Sequence, residues 1–357
     1  MKKNYRILAF LLALIMLVGC APSTKKDEPK KDVSETENKV EENKDKKQEK
    51  DDKVVKGGNE SKKIDRKVKL VAIKGPTAMG LAKFIEDNTG KDNSDYEFTM
   101  ASIAQEVVNG IAKKEFDMAA IPANLASTVY NKTQGQIQVL AVNTLGVVYI
   151  VDNSGEIKGI SDLKGKTIYV PAKGQTPEYI LKDVLKKSGL KEGDYTVEYK
   201  SEPAEVAALL NKGENIVGLL PEPFITAVKT KNPKINTAID LNAEWKKLNN
   251  TEIVTGVLVA NREFIEQNKE LVVDFLAKYK ESIEFAKNNR EESSKLIEKL
   301  GVVKAPVAMK ALEKLNIAYM DGEDLKNNLS KYLEILFSLD PKSVGGKLPA
   351  DDFYFSK

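Results

Sequence analysis

From residue 68 onward the chain alternates short apolar runs with amphipathic ones. Residues 68–73 form an apolar run ended by Lys74-Gly75-Pro76-Thr77, after which Met79, Leu81, Ala82 and Ile85 recur at helical spacing. Residues 96–100, 116–121 and 137–143 read as further strands. Between them, Ile103, Val107, Val108 and Ile111 make a helical stripe that Ser102 and Gln105 open as a capping box, and residues 125–130 make a second helix. The pattern then restarts. Strands at 147–151, 166–170, 195–199 and 216–220 are interleaved with helices at 176–190, at 202–211 and from 224. Thr176 suits an N-cap and Pro177 the first helical position, where its missing N–H costs nothing. A last strand spans 255–260, and the remainder is mostly helical. This alternation predicts an α/β chain with mainly parallel sheets.

Two segments of different character precede that body. Residues 1–6 are basic and 7–18 apolar. At ~1.5 Å per residue the apolar run reaches about 18 Å, short of the ~30 Å a spanning helix must cross, which is the pattern of a secretory signal peptide. Leu17-Val18-Gly19-Cys20 resembles a bacterial lipobox, implying that residues 1–20 are a lipoprotein signal and that Cys20 becomes a diacylated, palmitate-type anchor. The alternative leaves Cys20 inside an uncleaved anchor. Residues 21–66 hold no aromatic residue and carry 14 Lys+Arg against 13 Asp+Glu. Such a segment buries too little apolar surface to offset its ordering entropy, so a disordered charged linker with an r.m.s. reach of roughly 35–40 Å is expected.

Composition removes whole classes of chemistry. The chain has no histidine, hence no imidazole base and no histidine metal ligand. Its single cysteine, Cys20, allows neither an internal disulfide nor a Cys-cluster metal site. Residues 67–357 carry 39 bases and 40 acids, the wrong balance for a nucleic-acid binder. No Gly-x-Ser-x-Gly or P-loop pattern occurs. No cofactor, no metal and no catalytic residue is expected.

The polar residues that stand out lie where strands end: Gly75-Pro76-Thr77, Ala101-Ser102, Pro122-Ala123-Asn124 and Gly174-Gln175-Thr176. In α/β sheets ligands bind beyond the carboxyl ends of strands, and helix starts there offer free N–H groups to a carboxylate, sulfonate or phosphate. Ser102, Asn124 and Thr176 fit plain N-caps equally well.

Several segments resemble type II solute-binding proteins of ABC importers, in the branch of sulfonate, nitrate, taurine and thiamine-precursor binders. They are Asp162-Leu-Lys-Gly-Lys-Thr-Ile-Tyr-Val-Pro171 with Gly174-Gln-Thr-Pro-Glu-Tyr179, Asp117-Met-Ala-Ala-Ile-Pro122 and Leu219-Leu-Pro-Glu-Pro-Phe224. Gly75-Pro-Thr-Ala-Met-Gly80 and the segment 341–354 look like a subgroup common in Gram-positive bacteria. The resemblance implies a two-lobed periplasmic-binding-protein-like fold with crossings near 146–151 and 254–259. Lobe one is then 67–147 plus 257–357, and lobe two 148–256. It implies a monomer that closes on a small-molecule solute and hands it to an ABC permease with its ATPase, lipid-anchored outside a Gram-positive cytoplasmic membrane. A sensor or adhesion lipoprotein on the same fold is the alternative. By position the cleft residues are Gly75, Thr77, Met79, Ser102, Asn124, Thr144, Gln175, Thr176 and Glu222. Glu222 either receives an amine or starts a helix without touching ligand, Met79 either floors a pocket or faces the sheet, and Trp245 either stacks on a ligand or packs a helix. A yeast-type pyrimidine synthase shares the fold family, but it relies on histidines that this chain lacks.

Overall fold

The structure, a computed structural model, describes residues 65–90 and 94–356. The signal peptide, Cys20 and the linker up to residue 64 lie outside the described residues. Among the described residues no helix is long and apolar enough to cross a membrane.

The chain first builds β1 (Val68–Ile73), α1 (Pro76–Met79), α2 (Ala82–Asn88), β2 (Tyr96–Ala101), α3 (Ala104–Ala112), β3 (Met118–Pro122), α4 (Ala123–Lys132) and β4 (Ile137–Leu145). Two residues later a second series begins: β5 (Val148–Asp152), β6 (Thr167–Pro171), α5 (Thr176–Lys187), β7 (Thr196–Lys200), α6 (Pro203–Lys212), β8 (Val217–Pro221), α7 (Phe224–Lys231), β9 (Asn236–Asp240) and α8 (Leu241–Asn249). The chain then returns through β10 (Val254–Asn261), α9 (Arg262–Gln267), α10 (Lys269–Asn288), α11 (Arg290–Lys299), α12 (Ala305–Ala311), β11 (Ile317–Met320) and α13 (Gly322–Leu339).

Two sheets result, ordered β11-β4-β10-β3-β1-β2 and β7-β6-β8-β5-β9. Both are mixed. Four of the nine strand pairings are parallel, β1 with β2 and β3, and β6 with β7 and β8. The other five are antiparallel, which corrects the mainly parallel sheets expected from alternation. In four of the five the cause is the crossing: β5 and β10 enter their sheets from the neighbouring lobe, so they run against the strands already there, and the fifth is the edge pairing of β11 with β4. β10, which covers the range 254–259 where the second crossing was expected, runs within the first sheet from Val254 to Asn261.

Side chains alternate across β10. Leu258 and Ala260 join a core with α2 and α10, while Val257 and Val259 face the opposite side. That opposite core is continuous from α4 and α13 to the α5 and α8 side of the second sheet. A third cluster fills the α6 and α7 side. Among the described residues all three lie within residues 68–355. Arg66, assigned to the linker by composition, is part of that body: its guanidinium meets both carboxylate oxygens of buried Asp117, at 2.6 and 2.7 Å.

Candidate functional site

Strand register fixes which ends meet. In the first sheet Ile73 lies beside Ala101, and Gly256 lies beside both Pro122 and Thr144. In the second, Pro171 lies beside Lys200, and Pro221 beside Val148. Because β5 begins two residues after β4 ends, the carboxyl edges of both sheets adjoin at the first crossing. The Glu222 amide donates to the Val147 carbonyl there at 3.0 Å. The turns after β1, β2 and β3 therefore share one edge with Thr144, and those after β6 and β8 share the other.

The first crossing is fastened from both lobes. Asn242 Oδ1 accepts from the Val148 amide and its Nδ2 donates to the Val148 carbonyl, each at 3.2 Å. Asn316 Nδ2 donates to the Gly146 carbonyl at 2.6 Å. A side chain at Gly146 would collide with Asn242, since a Cβ there would lie 2.2 Å from its Oδ1. Asp240 makes Asn242 available by capping α8, accepting from the amides of Asn242 and Ala243.

The expected cleft residues divide into three groups. Ser102, Gln175 and Thr176 are accessible at the facing edges: Ser102 and Gln175 are exposed and Thr176 half-buried. Gly75 stands at φ 149°, a backbone angle that residues with side chains rarely adopt, and leaves the turn after β1 open. Thr77, Thr144 and Asn124 are at the edge but engaged internally. Thr77 is buried, and its Oγ1 donates to the Ile73 carbonyl at 3.2 Å. Thr144 is buried and donates to Asn143 Oδ1 at 3.0 Å. Asn124 Nδ2 turns to the Ser343 carbonyl at 3.4 Å. Met79 does not belong to the site, being fully buried in the core of the first lobe. It shares that hydrophobic cluster with Leu70 and Leu258 of the strands.

Three local expectations fail for one reason, a shift of the helix start. α3 begins at Ala104 with Ile103 in the N-cap position, and the Gln105 side chain bonds Asn109 instead of closing a capping box with Ser102. Ile103, expected inside, is 56% exposed on the rim beside Ser102. Asn124 is the second residue of α4 and Thr176 the first of α5, so neither is an N-cap.

Glu222 is fully buried. Its Oε2 accepts from the Thr226 amide at 3.1 Å, and Oε1 has no hydrogen-bond partner. That bond places the carboxylate at the start of α7. Burial pushes its carboxyl above the ordinary glutamate range, with Thr226, Lys314 and Lys229 pulling part of the way back.

Sequence reasoning missed one tie within lobe one and two contacts that join the lobes. Asn143 Nδ2 donates to the Thr77 carbonyl at 3.4 Å, tying the turn after β1 to β4. Tyr179 of α5 donates to Asp340 at 3.0 Å, just beyond α13. Trp245 is fully buried with its ring 5.9 Å from that of Tyr332, a packing role. The one available signal was Asn143-Thr144, a polar pair at the end of an otherwise apolar strand. Among the described residues no group of three or more acidic or sulfur side chains is gathered as for a metal ion.

Residues 135–293 match the family model described as NMT1/THI5 like. A putative binding protein of Brucella abortus is 25% identical over 217 residues, 61% of this chain, and the match spans 64% of that relative's length. Among solved structures, an ABC transporter protein from Parabacteroides distasonis superposes with a TM-score of 0.71 at 22% identity, covering 82% of this chain and 100% of the other. The periplasmic aliphatic sulphonate binding protein SsuA from Escherichia coli gives 0.65 at 19%, covering 82% and 92%. The desulfurization enzyme DszB also shares the fold, with a TM-score of 0.56 at 14% identity, over 77% of this chain and 93% of that one. The chain thus has the two-lobed fold of ABC-importer binding proteins, a fold that in one neighbour carries an enzyme.

Proposed function

We propose that this chain is an extracytoplasmic solute-binding lipoprotein that captures a small molecule between two lobes and delivers it to the permease of an ABC importer. Lobe one comprises residues 67–147 and 254–356, and lobe two 148–253. The observation that carries the reading is the meeting of both sheets' carboxyl edges at a two-segment crossing, with Gly75, Ser102, Gln175 and Thr176 accessible along them. The Ser102 hydroxyl and the Gln175 amide, both exposed there, suit a solute bearing hydrogen-bond acceptors. Glu222 lies beneath that accessible edge.

Binding closes the lobes only as far as the solute prefers the closed form, and the partner ATPase supplies the energy for transport. A thermal-shift screen of residues 59–357 against small sulfonates, carboxylates, pyrimidines and amines tests the reading. A solute at ~100 times its dissociation constant adds about 2.7 kcal/mol of stability. Ser102→Ala, Gln175→Ala and Thr176→Ala should weaken that solute's binding, the first two leaving the solute-free melting temperature in place because both side chains are exposed. Unchanged affinity in all three variants overturns the cleft assignment.

A further inference from the structure

A cavity of about 540 Å³ lies on the seam where the second half of α5, the turn after it and the start of β7 meet the end of α13. Leu190, Tyr195 and Leu339 form its apolar floor, and Lys182, Lys186, Lys191 and Glu192 stand around it. Lys182 is already paired with Glu178 at 2.6 Å. Among the described residues Lys186 and Lys191 have no ion-pair partner, and both side chains are exposed. The neighbouring carboxylate, Asp194, is occupied by Lys164 at 3.2 Å and by the Lys191 amide at 2.9 Å. This place is not the cleft. Lys186 is ten residues along α5 from Thr176, about 15 Å of helix, toward the opposite edge of the sheet.

Small-molecule sites are concave, of roughly 300–1,000 Å³, mostly apolar, with a few placed polar groups. We propose that this cavity is a second binding site, for a small amphipathic carboxylate whose alkyl or aryl part rests on Leu190, Tyr195 and Leu339 while its carboxylate meets Lys186 and Lys191. The chemistry selects that class. An amine would face two like charges, and a multiply charged anion would bring its charge onto apolar floor. Glu192, the one carboxylate on the rim, leaves the two free ammonium groups in the majority.

The test titrates octanoate, and octanamide as its uncharged counterpart, into isotope-labelled residues 59–357 while the backbone amides of Leu190, Tyr195 and Leu339 are followed by NMR. Both compounds should shift these amides, octanoate about tenfold more tightly. Lys186→Glu with Lys191→Glu, both exposed, should erase that preference and leave octanamide binding as it was. Thr176→Ala should change neither titration, which separates failure here from failure of the cleft. Three results overturn the proposal: no saturable shift below about 10 mM, shifts centred on residues 102, 175 and 176, or equal octanoate affinity in the doubly charge-reversed protein.

Discussion

Alanine at Gly256 should disturb the cleft from beneath. A Cβ there would lie 2.4 Å from Thr77 Cγ2 and 2.5 Å from Asn143 Oδ1. Carbon atoms pack at about 3.5–4.0 Å, so the Thr77 methyl has to retreat by roughly 1 Å. It cannot do so alone, because Thr77 Oγ1 is bonded to the Ile73 carbonyl and the Thr77 carbonyl accepts from Asn143. The turn from Gly75 to Thr77 moves with it. Overpacking of this kind costs about 1–3 kcal/mol, and two contacts this short put the variant near ~2. Thr77→Ser deletes the methyl and keeps the hydroxyl, at a cost of about 1 kcal/mol for one buried methyl. In that background Gly256→Ala should cost only about 1 kcal/mol, since the Asn143 contact remains, giving a coupling of roughly 1 kcal/mol. Thermal unfolding of the four proteins measures it, at ~2–4 °C of melting temperature per kcal/mol for a large domain. Strict additivity of the two substitutions, to within ~0.5 kcal/mol, refutes the argument.

Glu222→Gln should stabilise the protein at neutral pH. The native carboxyl holds its proton where the unfolded chain has already released it, so the parent loses stability as pH rises from the ordinary glutamate value through the raised native one. Melting temperature against pH should be flatter for the variant over that window, and parallel curves would falsify the assignment. Arg66→Ala removes a paired but half-exposed guanidinium from Asp117, which keeps its bond from the Lys69 amide at 2.8 Å. The loss should be about 1 kcal/mol at low salt and smaller at high salt. An equal loss at both salt concentrations would show that the contact is packing rather than charge.

Most of the fold is legible in the order of apolar runs because each central strand must be apolar on both faces to sit between helices. β3, β4, β8 and β10 satisfy that condition almost throughout, β1 and β6 over most of their length, and all were found. β9 and β11 were not. β9 is an edge strand with one fully buried residue, Ile239, and β11 has four residues, so neither carries a detectable period. Strand direction was illegible for a different reason. Parallel and antiparallel neighbours bury the same side chains, and only the path through the crossing decides between them.

The site was harder to read because a polar residue at a strand end has two kinds of customer. Thr77, Asn124, Thr144 and Glu222 are polar strand-end residues like Ser102 and Gln175, yet their side chains bond inward, to Ile73, Ser343, Asn143 and Thr226, and Thr176 lies against the buried Tyr332 hydroxyl. Three of these partners, Ile73, Asn143 and Thr226, lie within four residues and depend on the local backbone path, while Ser343 reaches Asn124 only when the distant end of the chain packs onto α4. The displaced start of α3 shows how little is needed: moving it past Ser102 frees the hydroxyl and turns Ile103 outward. An exposed isoleucine beside a free hydroxyl, on the edge that faces the second lobe, is more useful to a solute than to the fold. Had the capping box formed, the serine would be engaged with its own helix and the isoleucine would be core. A solute that touches this rim should therefore carry an apolar part beside its hydrogen-bond acceptor, and Ile103→Ser should weaken it without lowering stability.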